Sequence, residues 1–497
     1  MRNKSLEATH HKSIQGAKKS FFIPLEKASC LLWGLVLLSL PVTSFRFFPF
    51  LGKHTYVRPL AFYPLVLLYL ILALRLWRKE IKLPWSNVLL PLFLFLIITL
   101  FATATGALLA PIPMRGQEYW GRALRAFITF GIGLSFFVAA LWMHRDQDDL
   151  RHSLKWLYAG LALTILWVGV QAIALHTPLL TKGQVSDWQK LFSVRGLPKL
   201  KRVSGFAFEP SWLAGQIVTL YFPWLIASLL TRFRATKFHW LETLLLIGAI
   251  AALLLTYSRG GLIIAIAATG LTLLVSGRKA ISRGFQWFLH PLENNRIYAF
   301  GVRMIIVILT LSIAWGGISF LAQQNYVNRL WTVEADSLAD YFVKTNAGGR
   351  ITYLWAAAQI FLDHPWLGTG LGSSGLYLYQ YFPDWALFNN PEIARHLSPT
   401  STLYPNSKNL YLRLLAETGV FGFAIFSSFL FAILSQIGNI FRRSEKFIGA
   451  AGISSFFAIM IYYLMQDSFA MAELWINFGI ILGIASIWAS EKLQENL

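Results

Sequence analysis

Apolar runs of about 18 or more residues recur from one end of this 497-residue chain to the other. Each is long enough to cross a hydrocarbon core about 30 Å thick. Inside lipid every backbone N–H and C=O must be paired within its own element, so such runs fold as helices. The alternating polarity that a membrane β-barrel needs is absent from the sequence. An all-α, polytopic bundle is therefore expected, not a row of soluble domains. Composition agrees: 56% of residues are hydrophobic and only 13% are charged, where a soluble protein is nearer a quarter charged.

The runs centre near Leu37, Leu68, Ile97, Ile132, Leu163, Tyr221, Ile247, Ala267, Leu311, Ile425, Ile459 and Ile480, which gives about twelve spans. The expected division is a basic cytoplasmic tail at 1–27, spans 1–9 over 28–322 with an outer loop at about 177–208, a large, partly helical periplasmic loop at 323–409, spans 10–12 over 410–490, and a short cytoplasmic tail at 491–497. Five connections are basic: Arg75, Arg78, Lys79 and Lys82; Arg145, Arg151 and Lys155; Arg232, Arg234 and Lys237; Arg278, Lys279, Arg283 and Arg296; Arg442, Arg443 and Lys446. With Arg2, Lys4, Lys12, Lys18 and Lys19 they place these segments and both termini in the cytoplasm by the positive-inside rule. Topology then explains most of the net charge of +21, and no nucleic-acid partner is needed to account for it. The first apolar run follows a basic tail without a convincing small-residue cleavage pattern and reads as a retained signal anchor. Cys30 is the only cysteine, which excludes an internal disulfide and a thiolate zinc site.

Two outer segments are too long to be turns. The one at 177–208 carries Lys182, Lys190, Arg195, Lys199, Lys201 and Arg202 against one acid, Asp187. The one at 323–409 contains Gly349 to Asp363, an amphipathic pattern of about four turns ended by Pro365. Gly368, Gly370, Gly372 and Gly375 follow, but no strand precedes them and no GK[ST] comes after, so they suggest tight turning and not a nucleotide loop.

Three expected helix starts face the same side. They are Glu209-Pro210-Ser211 at span 6, Arg259-Gly260-Gly261 at span 8 and Lys408-Asn409 at span 10. Proline suits a first helical turn and a carboxylate suits the positive end of a helix. Helix N-termini with Arg202, Arg259 and Lys408 beside them can ring one cavity and bind phosphate; contact with anionic headgroups is the competing reading. Arg413 and Glu417 stand four apart and can pair on one helical face, in a structural or a catalytic role. Asp467 is a weaker candidate. Asp146, Asp148 and Asp149 resemble a DxD metal motif, but they precede span 5, where acids suit a helix start. His364 and His396 show no metalloprotease spacing, and no metal site is expected.

At these residues the chain resembles the O-antigen polymerase and ligase superfamily of bacterial surface-polysaccharide assembly. The matching elements are Arg202-Val203-Ser204-Gly205 with Phe208-Glu209-Pro210-Ser211, then Tyr257-Ser258-Arg259-Gly260-Gly261. Next come Arg350 with His364-Pro365-Trp366-Leu367-Gly368-Thr369-Gly370, and Asn409-Leu410-Tyr411-Leu412 with Glu417-Thr418-Gly419-Val420-Phe421-Gly422. Each is weak alone; their order and their placement relative to the spans make the set specific over roughly 200–425. The resemblance implies a multi-pass protein of the bacterial inner membrane that transfers a glycan from undecaprenyl pyrophosphate at the periplasmic face, without metal, nucleotide or other cofactor. Its partners would be the lipid-linked donor, a glycan or lipid A core acceptor, membrane lipids and a chain-length regulator.

In that chemistry arginines stabilise the departing pyrophosphate, and a base must reach the acceptor hydroxyl. Arg202, Arg259 and Arg350 are the expected pyrophosphate contacts. Glu209 and Lys408 are the candidate catalytic residues, with Asn409, Arg413 and Glu417 in support. Ligases of the superfamily carry a histidine just before the motif at Asn409, and this chain has Lys408. That departure favours Glu209 as base, Lys408 as phosphate contact, and a repeat-unit polymerase over a ligase. An anion transporter is the reading from another class; charges concentrated at the helix mouths and not at mid-membrane argue against it.

Overall fold

The computed structural model describes residues 24–47, 56–83, 86–198, 201–238, 240–289, 296–322, 325–401, 404–443 and 445–495. Arg2, Lys4, Lys12, Lys18, Lys19 and Lys199 lie outside them. Among the described residues the fold is helical, and extended pairing is limited to isolated bridges such as Ser44 with Arg58.

The first half comprises α1 (Leu25–Ser39), α2 (Phe62–Trp77), α3 (Leu89–Gly106), α4 (Tyr119–Met143), α5 (Gln147–His176) and the short α6 (Lys182–Lys190). Next come α7 (Pro210–Thr231), α8 (Leu241–Leu255), α9 (Arg259–Ser276), α10 (Arg278–Leu289) and α11 (Arg296–Ala322). Five helices then punctuate the long connection: α12 (Asn325–Thr332), α13 (Leu338–Lys344), α14 (Gly348–Asp363), α15 (Asp384–Asn389) and α16 (Pro391–Leu397). The chain closes with α17 (Leu410–Arg442), α18 (Lys446–Tyr462) and α19 (Ile476–Glu495). Every expected span centre falls in a helix. Among the described residues, six helices are long and apolar enough to cross a membrane: α4, α5, α7, α9, α17 and the stretch Leu89–Leu109, which extends α3. Five further apolar helical stretches of 10–17 described residues lie at α2, α8, α11, α18 and the start of α19.

Helix α3 shows why these elements suit lipid. Leu92, Phe95 and Ala102 face the core, while Phe93, Ile97, Leu100 and Phe101 are exposed on the other side. A helix apolar all round is stable only where its outer face also meets an apolar medium.

Helix α7 is the buried axis of the bundle, with every residue from Leu213 to Ser228 buried. Its middle, Ile217–Tyr221, widens into a π-turn. Pro223 explains this. It has no N–H to give Thr219 O, and its ring would crowd that carbonyl in a regular helix. Asn477 near the start of α19 takes up the slack: Nδ2 donates to Thr219 O at 2.8 Å, and Oδ1 accepts from Trp224 Nε1 at 2.8 Å.

Four of the five basic connections, those around Lys82, Arg151, Arg234 and Lys446, gather at one end of the bundle. Phe233 stacks on Phe447 at 4.0 Å, Arg151 lies over Phe233, and Trp142 Nε1 donates to Lys82 O. Asp146 is here too and caps α5 by accepting from the N–H groups of Asp148 and Asp149, which is the helix-start role. The starts of α7, α9 and α17 lie at the other end.

At that other end the long connection is stapled to α17. Thr369 N–H donates to Ala416 O, Gly370 N–H to Glu417 O and Val420 N–H to Pro365 O. These bonds fill a break in α17 at Gly419, whose φ of 62° and ψ of −166° leave the helical region. A Cβ there would stand 2.1 Å from Trp366 O, and one at Gly368 (φ 67°) 2.4 Å from the Glu417 carbonyl carbon. Two expected motifs are thus one packed unit, and the glycines serve turning and close approach.

Candidate active site around the turn after α18

The residues singled out in the sequence arrive from four helix starts, and a fifth element joins them. It is the turn that leaves α18, residues 463–467.

Helix α17 begins against this turn. Asn409 caps it, with Oδ1 accepting from Leu412 N–H at 3.0 Å. Asn409 Nδ2 donates to Leu464 O at 3.3 Å and Leu410 N–H to Tyr463 O at 2.8 Å. Lys408 adopts φ 55°, a conformation that side chains rarely take. It is held there by its N–H donating to Asp467 Oδ2 at 3.1 Å. Its ammonium reaches away, to 2.6 Å from Glu392 Oε1 and 4.9 Å from the centre of the Tyr353 ring. One turn on, Arg413 Nη1 donates to Asp467 O at 2.6 Å, and its Nε lies 3.0 Å from Glu417 Oε2. Glu417 Oε1 accepts from Ser374 Oγ at 2.7 Å. The Arg413–Glu417 pair is largely buried, and it anchors the turn to α17.

Helix α7 begins at Glu209, with Pro210 in its first turn. Ser211 Oγ donates to Glu209 Oε1 at 2.5 Å, and Arg195 Nη1 stands 3.9 Å from Oε2. The Glu209 side chain is 36% exposed, so it is open to a substrate. The charges of Glu209 and Arg350 both act on the hydroxyl of Tyr462, the last residue of α18. Arg350 is exposed in the first turn of α14.

Arg259 opens α9 and donates from Nη2 to Thr345 O at 3.0 Å, tying α9 to the end of α13. The adjacent Gly260 lies against Met465, where a Cβ would be 2.3 Å from Sδ. Arg202 sits one step behind, its Nε donating to Thr256 O at 2.7 Å. The turn after α18 thus touches the starts of α9 and α17 directly and that of α7 through Tyr462. Arg202 reaches this end of the bundle through Thr256.

Glu392 was not singled out in the sequence. It starts α16, which Asn390 caps by accepting from Glu392 N–H at 3.1 Å. Asn390-Pro391-Glu392 does signal a helix start; nothing in it signals a partner for Lys408, 16 residues on. A Cβ on Gly349 would lie 2.3 Å from Glu392 Oε2, so the carboxylate packs on the backbone of the first turn of α14. Burial pushes the Glu392 carboxyl up, but Lys408, its hydrogen bond, His396 and Arg395 outweigh this and hold it below the usual range. Burial and then Lys408 push the His396 imidazole down; its Nδ1 lies 2.5 Å from the Tyr353 hydroxyl. Burial pushes Asp467 up against the opposing pull of Arg413.

Three cations, Arg259, Arg350 and Lys408, at one mouth with the half-open Glu209 carboxylate can hold an oxyanion and take a proton from a hydroxyl. Among the described residues no group of three or more His, Cys, Asp or Glu side chains is placed to hold a metal ion.

Residues 244–427 match the family model described as O-Antigen ligase. The match runs from α8 to the middle of α17 and includes Arg259, Arg350, Lys408, Asn409, Arg413 and Glu417; Arg202 and Glu209 precede it. The superfamily resemblance of the motifs is thereby shown over that stretch, and members of the family are glycosyltransferase-like membrane enzymes. No curated protein matches the chain.

Proposed function

We propose that this chain, with its O-antigen ligase domain, is a repeat-unit polymerase that joins oligosaccharides carried on undecaprenyl pyrophosphate, at the periplasmic face of the bacterial inner membrane. One observation carries the reading: Glu209, Arg259, Arg350, Lys408 and Arg413 gather around the turn after α18, at the end of the bundle opposite the basic connections. Arginines at such a site stabilise the charge that develops as the pyrophosphate leaves, in a role that needs no metal. Glu209 takes the acceptor proton. Its ring of donors leaves it a free face, unlike Glu417, whose two oxygens are occupied by Arg413 and Ser374.

A polymerase reading is preferred to a ligase reading because Lys408 stands where ligases carry histidine, and its ammonium donates to Glu392. Glu209→Gln keeps the shape and removes the basicity. In single-turnover assays with lipid-linked repeat units, transfer should fall by about two to four decades while donor still binds. Normal turnover of this variant would reassign the base. Polymer formed from donor alone supports a polymerase; product that appears only when lipid A core is added supports a ligase. Reporter fusions should place Lys190 outside and Lys237 and Arg443 inside.

A further inference from the structure

Below Glu209, where α7 widens, three oxygen-bearing side chains meet away from solvent. Gln216 and Tyr221 bracket the π-turn, and Glu473 lies on the single turn Ala472–Leu474 that packs against it. They are 1%, 1% and 2% exposed. The Gln216 amide donates to Leu40 O at 3.0 Å and hydrogen-bonds the Glu473 carboxyl. The Glu473 charge acts on the Tyr221 hydroxyl. Yet Glu473 Oε1, Gln216 Oε1 and the Tyr221 hydroxyl have no hydrogen-bond partner among the described residues.

The imbalance has a sign. Two of the three atoms can only accept when Glu473 is ionised, and the third offers a single O–H. The charge is uncompensated as well. From the π-turn Glu473 meets Tyr221, and from α18 it meets Tyr462. Helix α4 presents apolar groups to this region, among them Phe130 against Trp475. The Asn477 amide of α19 is spent on the π-turn carbonyls. Among the described residues Glu473 forms no ion pair; its own backbone N–H and the Gln216 amide are the donors beside the carboxyl. A buried carboxylate left so is strongly disfavoured. One small positive charge removes both deficits together.

We infer that Gln216, Tyr221 and Glu473 form an internal oxygen site for one monovalent cation, a proton or an alkali ion. The site lies within the bundle, apart from the cations at the mouth. It touches the mouth through Tyr462, on which both Glu473 and Glu209 act and against which Gly215 is packed. The glycan reaction plays no part in the inference.

The test is infrared spectroscopy of the carboxylic-acid carbonyl band, on the full chain in lipid nanodiscs. Spectra are taken at neutral pH in sodium, potassium and choline chloride. If a proton occupies the site, wild type shows a carboxylic-acid band in all three salts, and Glu473→Gln loses it. If an alkali ion occupies it, the band is missing in sodium or potassium, emerges in choline, and never emerges in Glu473→Gln. A Glu473 that gives no band in any salt is a bare carboxylate and overturns the inference, as does a band that survives in Glu473→Gln. Tyr221→Phe removes one cage oxygen and keeps the ring. It should shift the pH midpoint of the band or its cation dependence; no change in either also overturns the site. That variant decides alone if Glu473→Gln does not fold.

Discussion

Lys408 Nζ donates to Glu392 Oε1 at 2.6 Å, across 16 residues of sequence, and so ties α16 to the start of α17. The bond joins the far part of the long connection to the turn that Lys408 grips with its own backbone N–H. It also divides the charge of Lys408 between a carboxylate and any phosphate that enters. Glu392 is thus a competitor for the ammonium, and donor binding must displace or share it.

Lys408→Ala should therefore weaken donor binding by up to about tenfold, the equivalent of about 1.4 kcal/mol, with little effect on the chemical step. Glu392→Gln should bind donor as well as wild type or better, because it releases the ammonium, and should loosen α16. Equilibrium binding and hydrogen exchange over 391–397 check the two halves separately.

Arg350→Ala is the cleanest test of pyrophosphate stabilisation. Arg202 and Arg259 hold backbone carbonyls at Thr256 and Thr345, so their loss disturbs structure as well as charge. Arg350 is exposed and makes no hydrogen bond or ion pair among the described residues. Its alanine variant should keep the wild-type melting temperature and lose about two to three decades in rate, as removal of one oxyanion donor does. Lysine should rescue part of this, without the bidentate fork. A rate within a few-fold of wild type would leave Arg350 a headgroup contact.

Gly419→Ala should destabilise the fold. The backbone conformation alone costs about 1–3 kcal/mol for a side chain, and the added Cβ would collide with Trp366 O. A lower melting temperature, with faster proteolysis around 365–370, is the expected outcome. An unchanged melting temperature would show that the staple is not needed for stability.

Acidification should loosen the same corner. His396 and Glu392 are both held below their ordinary values. In each the unfolded chain takes up a proton first as pH falls, so the stability each contributes is full above its unfolded value and lost below. The imidazole acts first, on going from about pH 6.5 downward, and Glu392 follows in the carboxylate range. Hydrogen exchange at 391–397, corrected for intrinsic rate, should speed up between neutral pH and about pH 5. His396→Gln should abolish the first part of that change.

Helix placement was legible in the sequence because membrane helices announce themselves by length and apolarity, and α14 because its pattern ends at Pro365. The glycines and Asp146 were legible as turning and capping residues from spacing alone. The partners were not. Glu392 and Lys408 are joined by tertiary packing, and no local pattern encodes that. The role of the turn after α18 was equally hidden, because its contribution is mostly backbone carbonyls at Tyr463, Leu464 and Asp467, which carry no residue signature. Pro223 did offer a signal for the break in α7, one that hydropathy passes over.

That break sets an angular register. A π-turn carries one residue more than the α-turn it replaces, and each residue of an α-helix turns the chain by about 100°. The outer part of α7, with Glu209, is therefore phased differently from the inner part, with Trp224. Removing one residue from 217–221 would let the rod wind regularly and would swing Glu209 away from Tyr462, while Trp224 stayed on Asn477. The direction in which this carboxylate points is fixed by a proline fourteen positions away.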